Sequence, residues 1–249
     1  MKRSMVHAVT ACLFCLFPLL LLACSSGVMV RQHADFKSRT EKAKISLLLP
    51  PQVVIQLQTS NGNTRKSDEE AKVIKDINTR VAAELTKRGY KVLTEPYQGE
   101  INDKLESATT VKDLTQRLSD KVYQRFLPEG EALSYKFSLG AEAASLAQPA
   151  GASSLLFTKC KMMKRSSGSN AAESGGKLLL GIATLGILAP PKNASGYLIL
   201  QATLVDAATG DVLWGNQIDD VSYNPVGEPA YQDQIEDLVA DLFKSFPQQ

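Results

Sequence analysis

Cysteine and histidine are the side chains best suited to covalent or metal chemistry, and this chain has four of the first and two of the second. Only Cys24 has neighbours that point to a definite reaction. Lys2 and Arg3 form a short positive start, and Ala8 to Ala23 then run without a charge, ending in four leucines, Leu19 to Leu22, and Ala23. That apolar run suits the core of a secretory signal peptide and falls short of the roughly 20 residues a spanning helix wants. It closes on Leu21-Leu22-Ala23-Cys24, which matches the bacterial lipobox. A small residue before the cut lets the backbone enter a peptidase, and the thiol can take a thioether-linked diacylglycerol. The expectation is a leader of residues 1–23, cleaved before a lipidated Cys24.

The remaining reactive side chains argue against an enzyme. Cys12, Cys15 and His7 lie in the leader, so Cys160 and His33 are what the mature chain retains. One unlipidated cysteine allows no intramolecular disulfide, and Cys160 in an alternating apolar run reads as a buried thiol. A Ser-His-Asp triad or a zinc cluster would have to be built around His33 alone. The carboxylate groupings are Asp206 with Asp211, Asp219-Asp220, and Asp68-Glu69-Glu70. Acid–base work needs two carboxyls whose surroundings split their pKa values. These read instead as a turn, a strand edge and a helix start. Ser174-Gly175-Gly176-Lys177 lacks the earlier glycine and following hydroxyl of a phosphate loop, having Ala171 and Leu178 there. No catalytic residue, metal ligand or cofactor is expected.

Composition bounds the partners. Without Lys2 and Arg3 the 28 basic residues become 26, against 26 acidic ones, so the mature chain is formally neutral. Nucleic-acid binding rests on a basic excess that is absent here. Residues 24–249 are long enough to bury a real core.

The elements that would hold these residues follow from periodicity. Residues 24–44 are polar and aperiodic and read as a lipidated, flexible tether. Ile45 to Leu49 before Pro50-Pro51 reads as a first strand, with Val53 to Leu57 continuing extended and Asn61-Gly62-Asn63 turning. Ser67 to Glu70 looks like a capping box, followed by Ile74, Ile77, Val81 and Leu85 at helical spacing and Gly89 at a left-handed stop. Tyr90 to Leu93 would then be a strand parallel to the first. Asp103 to Phe126 and Leu133 to Leu146 read as helices. From Ser154 the period becomes two, with Leu156, Thr158, Cys160 and Met162 on one face and Leu155 and Phe157 on the other. Tyr197 to Val205 and Val212 towards Val221 form a hairpin around Gly210, and Pro229 opens a last helix bearing Ile235, Leu238, Val239, Leu242 and Phe243. The fold class is α/β (α+β): a small mixed sheet flanked by helices, with a C-terminal β-hairpin and final helix. One domain spans 45–249, interrupted by a Gly/Ser-rich and apolar insert at about 166–194.

Within the insert, Leu178 to Ala189 reads LLLGIATLGILA, with no charge and Pro190-Pro191 behind it. Twelve residues are too few to span as a helix but enough for a tilted transmembrane strand. Three readings stay open: packing on its own domain or oligomer, contact with a partner or lipid, and a pore-forming element. The Gly-Ser flank and the prolines make the segment look like an excursion from the core. The expected contact residues are Leu178, Leu179, Leu180, Ile182, Leu185, Ile187 and Leu188.

Leu47-Leu48-Leu49-Pro50-Pro51, the helix, Gly89-Tyr90-Lys91-Val92-Leu93, and Leu200 to Trp214 through the Asp206–Asp211 turn carry a resemblance. Together they resemble the periplasmic α/β domain shared by the curli secretion subunit CsgG, the penicillin-binding-protein activator LpoB and the N-terminal domain of TolB, as found in Gram-negative outer-membrane lipoproteins. The resemblance covers about residues 44–246 and rests on fold signatures. It implies a non-enzymatic adaptor or assembly factor for an envelope component, anchored to membrane lipid through acylated Cys24 and facing the periplasm. Ser25 in place of an aspartate implies sorting to the outer membrane. The partners implied are an unidentified envelope protein and further copies of the chain. The alternative is an oligomeric secretion or pore subunit like the curli channel, from which this chain departs by offering one candidate membrane strand instead of paired hairpins.

Overall fold

The structure is a computed structural model that describes residues 29–40, 43–59, 61–94, 117, 138–165, 196–220, 222 and 224–246. Its strands are β1 (Met29–Gln32), β2 (Ile45–Leu48), β3 (Gln52–Thr59), β4 (Gly62–Arg65), β5 (Lys91–Leu93), β6 (Ser154–Arg165), β7 (Gly196–Asp206) and β8 (Val212–Asp220). Its helices are α1 (Phe36–Thr40), α2 (Ser67–Lys87), α3 (Glu142–Ala150) and α4 (Pro229–Leu242). The strands form one mixed sheet in the order β1-β8-β7-β6-β2-β5, with β3 also on β6 and β4 on β3. The expected α/β class, C-terminal hairpin and final helix are all present.

Proline explains why β6 carries two strands on one edge. β2 pairs parallel to β6 from Ser46↔Ser154 to Leu48↔Leu156, and β3 resumes at Gln52↔Lys159. Pro50 and Pro51 between them have no amide hydrogen to give the ladder, so the strand breaks there and restarts. The helix that follows returns the chain to β5, which pairs parallel to β2 as the strand–helix–strand order requires.

One face of the sheet carries the larger core. Val73, Ile77, Val81 and Leu85 of α2 and Tyr231, Ile235, Val239 and Leu242 of α4 pack over Leu156, Cys160, Met162, Leu200, Leu204 and Trp214. Spacings of three and four residues put each helix's apolar side chains on one stripe. Trp214 is fully buried and meets Phe246 edge-on at 4.7 Å between ring centres, with Phe243 stacked at 5.6 Å. On the other face α3 brings Ala143, Leu146 and Ala147 onto Leu155, Phe157, Val205 and Val212. Thus β6 divides its alternating residues between two cores, as its period of two requires.

Three expectations need correction. Residues 29–40, read as part of a flexible tether, carry β1 and α1: β1 pairs antiparallel with β8 from Met29↔Gln217 to Gln32↔Trp214, and Phe36 is buried in the main core. The open edge of β8 supplies backbone partners that aperiodic sequence does not reveal. The Ser67–Glu70 capping box does not form, since α2 has no side-chain cap. Glu70 turns inward instead, accepting from the Ile55 amide at 3.2 Å and from Arg65 at 2.8 Å. The helix expected over 133–146 begins only at Glu142 and runs to Ala150. Asp103 to Phe126 falls outside the described residues except Arg117.

Candidate functional site

Cys24 and the whole of Leu178 to Ala189 lie outside the described residues. What the structure supplies is the frame that presents them. β6 and β7 pair antiparallel from Ser154↔Asp206 to Lys164↔Gly196. Residues 166–195 are therefore the connection between two neighbouring central strands. Near that connection Met163 is 1% exposed, Tyr197 4% and Leu198 0%, while Lys164 is exposed. The described β6–β7 ladder ends at Lys164↔Gly196.

Downstream of Cys24, β1 and α1 form an arm fastened at several points. Beyond the β1–β8 ladder, the His33 amide donates to the Leu213 carbonyl at 2.8 Å. Arg39 then reaches the β7–β8 turn, donating to Asp211 at 2.8 Å, to Asp206 at 3.0 Å and to Thr209 at 2.6 Å. Burial works against the guanidinium's charge, but the hydrogen bonds to Asp211 and Asp206 outweigh it and raise its pKa. For Asp211, burial pushes upward while hydrogen bonds from Arg39, Ser138 and Thr209 carry the carboxyl below its usual range. The pair Asp206 and Asp211 thus has a structural task. The turn between them also needs Gly210: it takes φ +74°, and a Cβ there would stand 2.3 Å from the Gly140 carbonyl oxygen.

The other carboxylates are engaged similarly. Asp220 accepts from Gln234 at 2.7 Å and from the Ser222 amide at 2.9 Å. Its neighbour Asp219 points to the opposite face, where burial and then the charge of Asp220 raise its pKa. Lys161 lies on that face too, its pKa lowered by burial and by Lys159. Shifted groups are a common mark of active sites. Here Lys161 pairs with Ile199, which pairs with Asp219. Two strand spacings, about 10 Å, separate their backbones. Glu70 is held below the usual carboxylate range chiefly by Arg65, against the effect of burial.

The soft ligands do not converge. Cys160 is fully buried, and loss of solvation pushes its thiol up to about 12. His33 uses Nδ1 to accept from the Asp35 amide at 3.1 Å, a local turn bond. Among the described residues no three His, Cys, Asp or Glu side chains group as a metal site. Among them, too, no helix is long and apolar enough to cross a membrane.

Sequence reasoning missed the arm. Its available signals were the short apolar run Val28-Met29-Val30 and Phe36, an isolated aromatic in a polar stretch.

Comparison with family models and with characterised sequences finds no match. Solved structures that align with this chain include the lipoprotein GNA1162 of Neisseria meningitidis, at 12% identity and TM-score 0.36, covering 82% of this chain and 99% of that one. A PelC dodecamer of Paraburkholderia phytofirmans aligns at 10% identity and TM-score 0.38, over 90% of this chain and 99% of that one. The LpoB C-terminal domain of Salmonella enterica aligns at 12% identity and TM-score 0.28, over 72% and 83%. At these values the likenesses assign neither a family nor a role.

Proposed function

We propose that this chain is a non-enzymatic lipoprotein of the outer membrane, anchored through acylated Cys24 and facing the periplasm, whose domain binds another envelope component. The apolar segment Leu178 to Ala189 makes the contact. The observation that carries this reading is the place of residues 166–195 between β6 and β7. They follow the end of the β6–β7 ladder at Lys164↔Gly196, and the two larger core clusters of the described residues are built from side chains of other segments. Burying a leucine or isoleucine side chain is worth about 1.5–3 kcal/mol, so several such residues in one connection favour finding an apolar surface. Among the described residues, Asp206 and Asp211 are taken up by Arg39 and Glu70 by Arg65, and the Cys160 thiol is buried.

Ile182→Asp and Leu185→Asp test the contact. The expected result is a thermal midpoint close to that of the parent protein, together with loss of the envelope proteins that cross-link to it in intact cells. A clear fall in melting temperature with both substitutions would place the segment in the domain's own core and overturn this part of the reading. A large ring with channel conductance in planar bilayers would replace the adaptor role with that of a pore subunit.

A further inference from the structure

The arm's direction carries information about the membrane. β1 is antiparallel to β8, with Met29 opposite Gln217 and Gln32 opposite Trp214. Moving towards the N-terminus from Met29 therefore means moving along β8 towards Asp220. Asp220 pairs with Leu198 of β7, and Gly196 of β7 pairs with Lys164 of β6. At Met29 the strand direction towards the N-terminus thus points to the sheet end formed by Lys164, Gly196 and Asp220. The opposite end holds the β7–β8 turn and Arg39, whose three side-chain hydrogen bonds fix the arm's other extremity.

Reach decides between the two ends. Met29 is five residue steps from Cys24, and a fully extended chain spans at most about 3.3–3.6 Å per residue, so Cys24 lies within about 18 Å of Met29. Met29 shares its row with Gln217 and Gln201. From that row Gly196 is five residues along β7 in one direction and Asp206 five in the other, about 17 Å each way. An extended segment continuing β1 reaches the Gly196 level. To reach the Asp206 level it would have to reverse first, and a reversal consumes about four residues.

We infer that the docked arm fixes the orientation of the domain on its membrane: the sheet end formed by Lys164, Gly196 and Asp220 faces the lipid surface, and the Asp206–Asp211 turn faces away from it. The partner of that end is the bilayer that holds the acyl chains. This rests on lipidation of Cys24 and goes beyond it, since a free tether would leave either end equally able to approach the membrane. The β6–β7 connection leaves from the lipid-facing end.

Single labels read the orientation directly. In the mature protein Cys160 is fully buried and Cys24 is blocked by lipid, so a cysteine introduced at an exposed position takes a thiol-reactive fluorophore alone. Lys164 and Ala208 are exposed at the two ends. Lys164→Cys and Ala208→Cys lipoproteins, each reconstituted into phosphatidylethanolamine–phosphatidylglycerol vesicles, are compared with and without headgroup-quencher lipid. The expected result is loss of most emission from the label at 164 and little from that at 208. Equal quenching of the two, or stronger quenching at 208, in protein that floats with the vesicles overturns the orientation and leaves the anchor intact. Mature protein that does not float with the vesicles overturns the anchor, and the orientation with it.

Discussion

Arg39→Ala removes the fastening at the far end of the arm while leaving the β1 ladder and the buried Phe36 in place. The guanidinium is 20% exposed and its partners Asp206 and Asp211 are 17% and 31% exposed, so the cluster lies between a surface pair and a buried one. Exposed pairs contribute about 0.2–1 kcal/mol and hydrogen bonds to charged groups about 1.5–3 when desolvated. Three bonds are lost, but both carboxylates keep other donors: Asp206 accepts from the Ala208 and Thr209 amides at 2.8 and 3.1 Å. Discounting for solvent screening, the expected loss is about 1–2 kcal/mol, which for a chain of this size lowers the melting midpoint by about 3–6 °C. The pH dependence supplies a second check. Asp211 has a folded pKa below its ordinary value of 3.8, so the unfolded chain binds the proton more readily. Its contribution is fully present above the unfolded pKa and is lost as pH falls through the folded one. The gap between parent and variant is therefore expected to narrow as pH drops below the carboxylate range, measured by denaturant unfolding of the mature protein in mild detergent. An unchanged midpoint at neutral pH, or a deficit of constant size through the acid range, would refute the ion-pair account of the arm.

Two further outcomes test the core. With its thiol buried and pushed up to about 12, Cys160 is expected to resist maleimide in the native protein and to react once guanidinium unfolds it; native labelling at the rate of a free thiol would contradict its placement. Glu70→Ala leaves the Ile55 amide without its side-chain acceptor and is expected to cost about 1–3 kcal/mol in chemical denaturation, while Glu70→Gln, which keeps a carbonyl there, costs clearly less. Equal losses from the two variants would show that the charge on Glu70, and not the Ile55 bond, carries its role.

The elements legible in the sequence were those whose pattern and packing agree. The hairpin through Gly210, the two-sided alternation of β6, and the apolar stripes of α2 and α4 each bury the residues their period marks. Gly89 also ends its helix region at φ +88°, as a glycine at that place suggests. What escaped depends on partners distant in sequence. Four residues of β1 have no period of their own and form a strand because β8 has an open edge. Glu70 satisfies the spacing of a capping box, yet Arg65 and the Ile55 amide outcompete the helix terminus for its carboxylate. The helix over 133–146 starts late because Ser138 to Gly140 dock on the β7–β8 turn, with the Leu139 amide donating to the Gly210 carbonyl at 2.7 Å. For the candidate site, the sequence pointed to Cys24 and Leu178 to Ala189. The arm between Cys24 and the sheet could be read only from three-dimensional pairing.

The lipid anchor is the claim on which the functional reading stands, and the mass of the mature N-terminal peptide tests it most directly. Protein purified from envelopes is expected to begin at Cys24 and to carry a diacylglycerol with an amide-linked acyl chain, since one chain alone binds a membrane only marginally. Cys24→Ala is expected to leave an uncleaved precursor without lipid. A mature peptide beginning at Cys24 with an unmodified thiol, or a Cys24→Ala protein that still reaches the parent mass and stays in the outer membrane, would contradict the account.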